Sequence, residues 1–192
     1  MCTWSKGSAA TWPIWPVTCF KPDYYIKKME RKLFIVRHAK SSWDHEGLAD
    51  IDRPLANRGL RNAGEMAERL LVKKMVPQLL LSSPANRALN TALIMSKIWG
   101  TRAENFQIHE TLYDASISDI EQVIAGLPSD IKSLAIFGHN PSFTAYANMF
   151  LKQRLDNLPT AGVVIVTLES KNWEGIVRKN VKETYVDYPK RK

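Results

Sequence analysis

Residues 33–40 read L-F-I-V-R-H-A-K, four apolar residues that stop abruptly at an arginine and a histidine. A short apolar run with β-branched members is the pattern of a strand buried on both faces. A strand of that kind requires a sheet covered by helices on each side. The run then places Arg37 and His38 at its C-terminal end, where open α/β sheets hold their ligands. An imidazole beside a guanidinium suits phosphoryl transfer, because the nitrogen can attack phosphorus while the cation neutralises phosphate oxygens. The pair alone is weak evidence, since buried strands often end in a basic residue that simply meets solvent.

The rest of the chain tests whether such a sheet exists. Residues 41–55 are polar and turn-rich and read as a loop. Leu60, Ala63, Gly64, Ala67 and Leu71 form an apolar stripe at helical spacing. Residues 78–82 read as a short buried strand. Ser83-Pro84 follows as an N-cap with proline in the first helical position, opening a helix with Ala88, Ala92, Met95 and Trp99 on one face. Ile117, Ile120, Ile124 and Leu127 predict a further helix closed by Pro128. Residues 134–137 form the next apolar strand and run into Gly138-His139-Asn140-Pro141, with Asn140 and Pro141 as N-cap and first turn of another helix. Residues 163–168 and 175–181 read as closing strands, the second short and charged as an edge strand should be. Strands alternating with helices predict an α/β fold: a three-layer α/β/α sandwich around a mostly parallel sheet.

Residues 1–29 break this pattern, because Trp4, Trp12 and Trp15 alternate with Pro13 and Pro16. The prolines interrupt the only candidate for a signal peptide, and the stretch has no arginine to suggest organelle targeting. It is expected to be a poorly ordered extension ahead of one domain over residues 30–192. Both cysteines, Cys2 and Cys19, lie in it, so the core can hold neither a disulfide nor a cysteine-based zinc site. That fits a reducing compartment, and the cytoplasm is the expected location. The formal charge of +8 favours anionic partners. Much of it sits in the terminal segments, and no nucleic-acid-binding signature accompanies it, so solvated tails are preferred to nucleic acid. No run has the length of a membrane span.

In a parallel sheet the ends of successive strands emerge at one edge. Arg37 and His38 after the first strand, Arg87 in the first helical turn after the second, and His139 after the fourth can therefore converge. Two helix starts are expected there as well, and both favour an anion. Two guanidiniums, two imidazoles and two helix N-termini make a phosphate site.

These segments resemble the histidine phosphatase superfamily: V-R-H-A-K-S at 36–41, S-S-P-A-N-R-A-L-N-T-A at 82–92 and G-H-N-P-S at 138–142. Arg53-Pro54-Leu55, with Gly59 beyond it, adds a likeness to the small SixA-like phosphohistidine phosphatases. The resemblance runs from Lys32 to the last strands and implies a phosphoglycerate mutase-like fold. It implies that His38 is the nucleophile, taking the phosphoryl group before water hydrolyses the phosphoenzyme. Arg37 and Arg87 clamp the phosphoryl oxygens, a protonated His139 stabilises the in-line transition state, and Arg53 reaches in as a further substrate contact. Neither metal nor cofactor is required, and the partner is a phosphate-bearing substrate such as a phosphohistidine protein, met by a monomer.

The chain departs from the pattern twice. Ala39 stands where the superfamily usually has glycine, which is tolerable if that residue keeps a negative φ. No general acid is assignable: Glu110 and Asp114 are the candidates, yet either can simply cap or solvate a loop. A missing acid tilts the substrate toward phosphohistidine, whose protonated imidazole already leaves well. The rivals are a phosphatase of small phosphoesters and an idle phosphoprotein-binding module, which would need the arginines far more than His38. A mutase lacks a substrate-gripping insertion here. His45 and His109 read as ordinary loop histidines.

Overall fold

The structure is a computed structural model that describes residues 28–44 and 47–190. Residues 1–27 of the expected extension, with both cysteines, and His45 lie outside the described residues.

Six strands form one sheet in the order β3-β2-β4-β1-β5-β6. They are β1 (Met29–Arg37), β2 (Leu79–Ser82), β3 (Phe106–Ile108), β4 (Ser133–Gly138), β5 (Val163–Ser170) and β6 (Val181–Asp187). Pairings are parallel from β3 through β1 and antiparallel on both sides of β5, so only β5 runs against the other five. The sheet is mostly parallel, as expected. Alternate residues of each central strand face opposite layers. Leu33 and Ile35 pack with helices α3 (Ile117–Ala125) and α4 (Ser142–Asn148). Phe34 and Val36 pack with α1 (Asn57–Val72) and α2 (Asn86–Trp99). These are the three layers. Among the described residues no helix is long and apolar enough to cross a membrane.

Several local expectations are corrected. In α1 the buried positions are Gly59, Ala63, Met66, Ala67 and Leu70, while Leu60 and Leu71 of the expected stripe are exposed. Gly59 sets this rotation: a Cβ there would overlap the Lys40 carbonyl, so its bare face lets the helix lean on the loop after β1. Ser83 and Pro84 do not open α2, which starts at Asn86 after Ala85. Asn140 is not the cap of α4 either. The Asn140–Pro141 peptide is cis, Pro141 precedes the helix, and the Asn140 amide donates to Leu158 and Asn157. Residues 175–181 are not a strand. Gly175 turns with φ 60°, and Asn180 accepts from the Val177 amide at 3.0 Å, closing a turn before β6 begins at Val181. The three-residue β3, too short to register as a pattern, completes the other edge.

Candidate active site

The β1–β4 register sets Arg37 opposite Gly138, and the His38 amide donates to the Gly138 carbonyl at 3.0 Å. The two residues that follow, His38 and His139, therefore stand side by side, ring centroids 5.1 Å apart. A Cβ on Gly138 would collide with the Phe143 ring, so glycine there lets α4 fold back directly after His139. From the next strand, α2 brings in Arg87. Thr91, one turn further on, accepts from the Ala39 amide at 2.9 Å and donates to the Arg87 carbonyl at 2.6 Å. This buried hydroxyl latches the helix to the loop after His38.

His38 Nδ1 lies 2.7 Å from the Ala39 carbonyl. A carbonyl only accepts, so Nδ1 carries the hydrogen and the lone pair of the neutral ring is on Nε2. Burial lowers the His38 pKa to about 4, with the charges of Arg87, Arg37 and Arg53 adding to the effect and the Ala39 hydrogen bond opposing it. His139 falls to about 3, through burial first and then its neighbours His38 and Arg87. At neutral pH both rings are therefore neutral. Ser83 lies 2.9 Å from His139 Nε2, and Nδ1 of the same ring is buried without a partner. The serine expected to cap α2 thus orients an imidazole instead.

Asp50 is the residue that the sequence reading missed. It sits in a short 3-10 turn over residues 50–52 of the loop. Its carboxylate accepts from Arg87 at 2.7 Å, from Arg53 at 3.0 Å and from the Tyr113 hydroxyl at 3.3 Å. Burial alone would raise its pKa, but the hydrogen bonds from Arg87 and Arg53 outweigh that and hold it below the ordinary carboxylate range. The spacing of Asp50 and Arg53, three apart within one turn, is the signal that could have found it. Tyr113 was also missed; its ring meets His139 edge-on at 5.7 Å. Glu110 and Asp114, the two candidate acids, are solvent-exposed, and among the described residues neither bonds to a histidine or arginine of the site.

Arg53 does arrive beside the site, donating to Ser41 at 2.9 Å with its guanidinium carbon 3.2 Å from the centroid of the Trp43 ring. Arg37 is turned along the wall of the site, donating to the Leu158 carbonyl at 2.7 Å and to Asn157 at 3.3 Å. Its Nε is buried without a partner. Of the two helix starts expected here, α2 has 14 residues, while α4, with seven, supplies no dipole of consequence. His109 is elsewhere, against Gln107 at the end of β3. Among the described residues no group of three or more His, Cys, Asp or Glu is placed to hold a metal ion.

Comparison with known proteins agrees with this architecture. An uncharacterised chloroplastic protein of Arabidopsis thaliana is 29% identical over 178 residues, covering 88% of this chain and 81% of its own length. A solved structure of the protein histidine phosphatase SixA with tungstate shares the fold with a TM-score of 0.68 and 20% identity, over 82% of this chain and 97% of its own. The putative phosphohistidine phosphatase SixA from Agrobacterium tumefaciens gives a TM-score of 0.65 at 24% identity, over 81% and 97% of the two chains. The sequence model of the histidine phosphatase superfamily (branch 1) matches residues 33–128, half of the chain and the part that carries Arg37, His38, Arg53 and Arg87. This chain belongs to that superfamily and is a phosphatase by class.

Proposed function

We propose that this phosphatase removes phosphoryl groups from histidine side chains of proteins by way of a phosphoenzyme on His38. The observation that carries the reading is the state of the His38 ring: Nδ1 is tied to the Ala39 carbonyl and the pKa is about 4, so Nε2 is a free lone pair at neutral pH. Nε2 attacks phosphorus, and the bond from phosphorus to the substrate nitrogen breaks. Arg87 and Arg37 neutralise the phosphoryl oxygens, Arg53 adds a third cation, and His139 takes up a proton once the dianion is beside it. Water then attacks the phosphoryl group, the bond to His38 breaks, and inorganic phosphate leaves.

The acid inventory favours a nitrogen leaving group. The carboxylate within the site, Asp50, is held as an anion by two arginines and is a poor proton donor. An alkoxide needs such a donor, whereas phosphoimidazole protonated on its other nitrogen departs as neutral imidazole. Two structures of similar fold are those of a putative phosphohistidine phosphatase and of a protein histidine phosphatase, which is consistent with this choice.

The test compares wild type and His38→Ala on a phosphohistidine-bearing protein and on an aryl phosphate, with EDTA present throughout. Loss of at least about a thousandfold in kcat, with no acid-labile phosphoenzyme in the variant, is expected. Full activity of the variant would overturn the mechanism. A preference for the aryl phosphate would move the substrate to small esters, and binding of the phosphoprotein without turnover would point to a binding module.

A further inference from the structure

Beside the nucleophile, with neither His38 nor Asp50 in its lining, lies a cleft of about 370 Å³. Its lining includes Arg37, Lys40, Arg58 and Lys190, with Asn157 and Tyr188, and among the described residues it holds no carboxylate. The cations come from distant parts of the chain: the loop after β1, the start of α1 and the segment after β6. Among the described residues, Lys40, Arg58 and Lys190 pair with no acidic side chain. Elsewhere on this surface arginines and lysines do find partners, as Arg69 does with Glu65 and Asp187. Three unneutralised cations around one concavity repel each other and raise the local anion concentration.

The cleft and the phosphate site share a wall. Residues 157–162 form it, and the chain around His38 holds it in place. The Ala161 amide donates to the His38 carbonyl at 3.1 Å, the Arg37 amide to the Gly162 carbonyl at 3.1 Å, and the Arg37 guanidinium to Leu158 at 2.7 Å. Arg37 belongs to both spaces. A substrate whose phosphoryl group is on His38 therefore lays whatever flanks that group over Lys40, Arg58 and Lys190.

The geometry points to a subsite for the acidic side chains that flank the phosphohistidine of a protein substrate. This rests on the function proposed above and adds a sequence preference to it. Two features favour a polypeptide over a second phosphate of a small molecule. The cations line an open cleft with Tyr188 and two prolines in its walls. On the Arg53 side of the site Trp43 is 72% exposed, a rim suited to a macromolecular surface.

The experiment uses the full chain and two synthetic phosphohistidine peptides, one with aspartates around the histidine and one with serines. Wild type is expected to favour the acidic peptide about tenfold in kcat/KM, through KM, because each of the three cations contributes about twofold. The preference should shrink as salt rises from about 50 to about 300 mM. In the double variant Arg58→Gln, Lys190→Gln, which leaves Lys40, the ratio should fall to about twofold, and Arg58→Lys should keep it. Equal use of both peptides by wild type overturns the subsite while leaving the phosphohistidine reading intact. So does an equal loss on both peptides in the variant. If neither peptide is hydrolysed, the unphosphorylated peptides are tested as inhibitors of aryl phosphate hydrolysis. Selective inhibition by the acidic one, lost in the double variant, keeps the subsite and overturns the substrate; no selectivity overturns both.

Discussion

Asp50 occupies Arg53 and Arg87, two of the three guanidiniums that the proposed mechanism assigns to the substrate phosphate, and replacing it with asparagine separates its structural cost from its effect on binding. The carboxylate is 52% exposed, while the side chains it holds, Arg53 and Arg87, are only 12% and 9% exposed. Solvent screens such half-open pairs, so each contributes about 0.5–1 kcal/mol and the two together about 1–2 kcal/mol. Asp50→Asn keeps the backbone carbonyl that also accepts from Arg87 and keeps a hydrogen-bonding side chain. Without ligand, the melting temperature should fall by about 2–8 °C, taking about 2–4 °C per kcal/mol at this size. Phosphate, however, no longer has to displace an anion or lie beside one. Recovering about 1.4 kcal/mol means about tenfold tighter binding of inorganic phosphate. Calorimetric titration with phosphate measures the second effect, and the phosphate-induced rise in melting temperature should be larger in the variant than in wild type. Weaker or unchanged phosphate binding in Asp50→Asn would refute the reasoning, making Asp50 a scaffold for the arginines and not a competitor for them.

Three further outcomes follow from the same geometry. Gly59→Ala should lower stability by about 1–3 kcal/mol and reduce turnover, because the new methyl must push away the loop that carries His38; a melting temperature within about 1 °C of wild type would remove that contact from the account. Thr91→Val leaves the buried Ala39 amide without an acceptor and should cost about 1–3 kcal/mol in chemical denaturation, with Thr91→Ser restoring most of it. Acid should destabilise the ligand-free enzyme: with His38 at about 4 when folded and near 6.5 when unfolded, the unfolded chain binds more protons between those values. Stability is then flat above about pH 6.5 and falls as pH drops toward 4, by up to about 3 kcal/mol for this histidine. Saturating phosphate should blunt the fall, and a stability curve without slope in that window would contradict the burial of a neutral His38.

How much of this was legible in the sequence depends on whether position or local geometry decides a residue's role. His38, Arg87 and His139 could be brought together on paper, because strand ends of a parallel sheet share an edge and each lies within a few residues of one. The layers followed from the same alternation. Ser83 and Asn140 look like helix caps by residue type, yet the structure spends one on an imidazole and the other on residues 157–158. Local propensity yields there to contacts that only the folded chain supplies. The α1 stripe failed because leucines at helical spacing were counted while the face was chosen by Gly59, which contributes no hydrophobicity at all. Asp50 was hidden among acidic loop residues that pattern cannot rank. Its importance comes from the 3-10 turn that aims it at Arg87, 37 residues away.

The assembled site is a frustrated one, and the frustration has a direction. Arg37, Arg53 and Arg87 all act on His38, two imidazoles are buried neutral at 5.1 Å, and Arg37 Nε and His139 Nδ1 are left without partners. Among the described residues, one half-exposed carboxylate is all the negative charge that bonds to its arginines. Each of these features lowers the stability of the fold, and in the proposed mechanism each would be relieved by a single tetrahedral anion beside His38: the arginines gain a counter-charge and His139 regains a reason to protonate. Asp50 then reads as the minimum that keeps the guanidiniums in place until the anion arrives. A stronger internal partner, a second carboxylate or a fully buried one, would stabilise the fold and close the site to phosphate. The weakness of the Asp50 pairs is therefore part of how the site works.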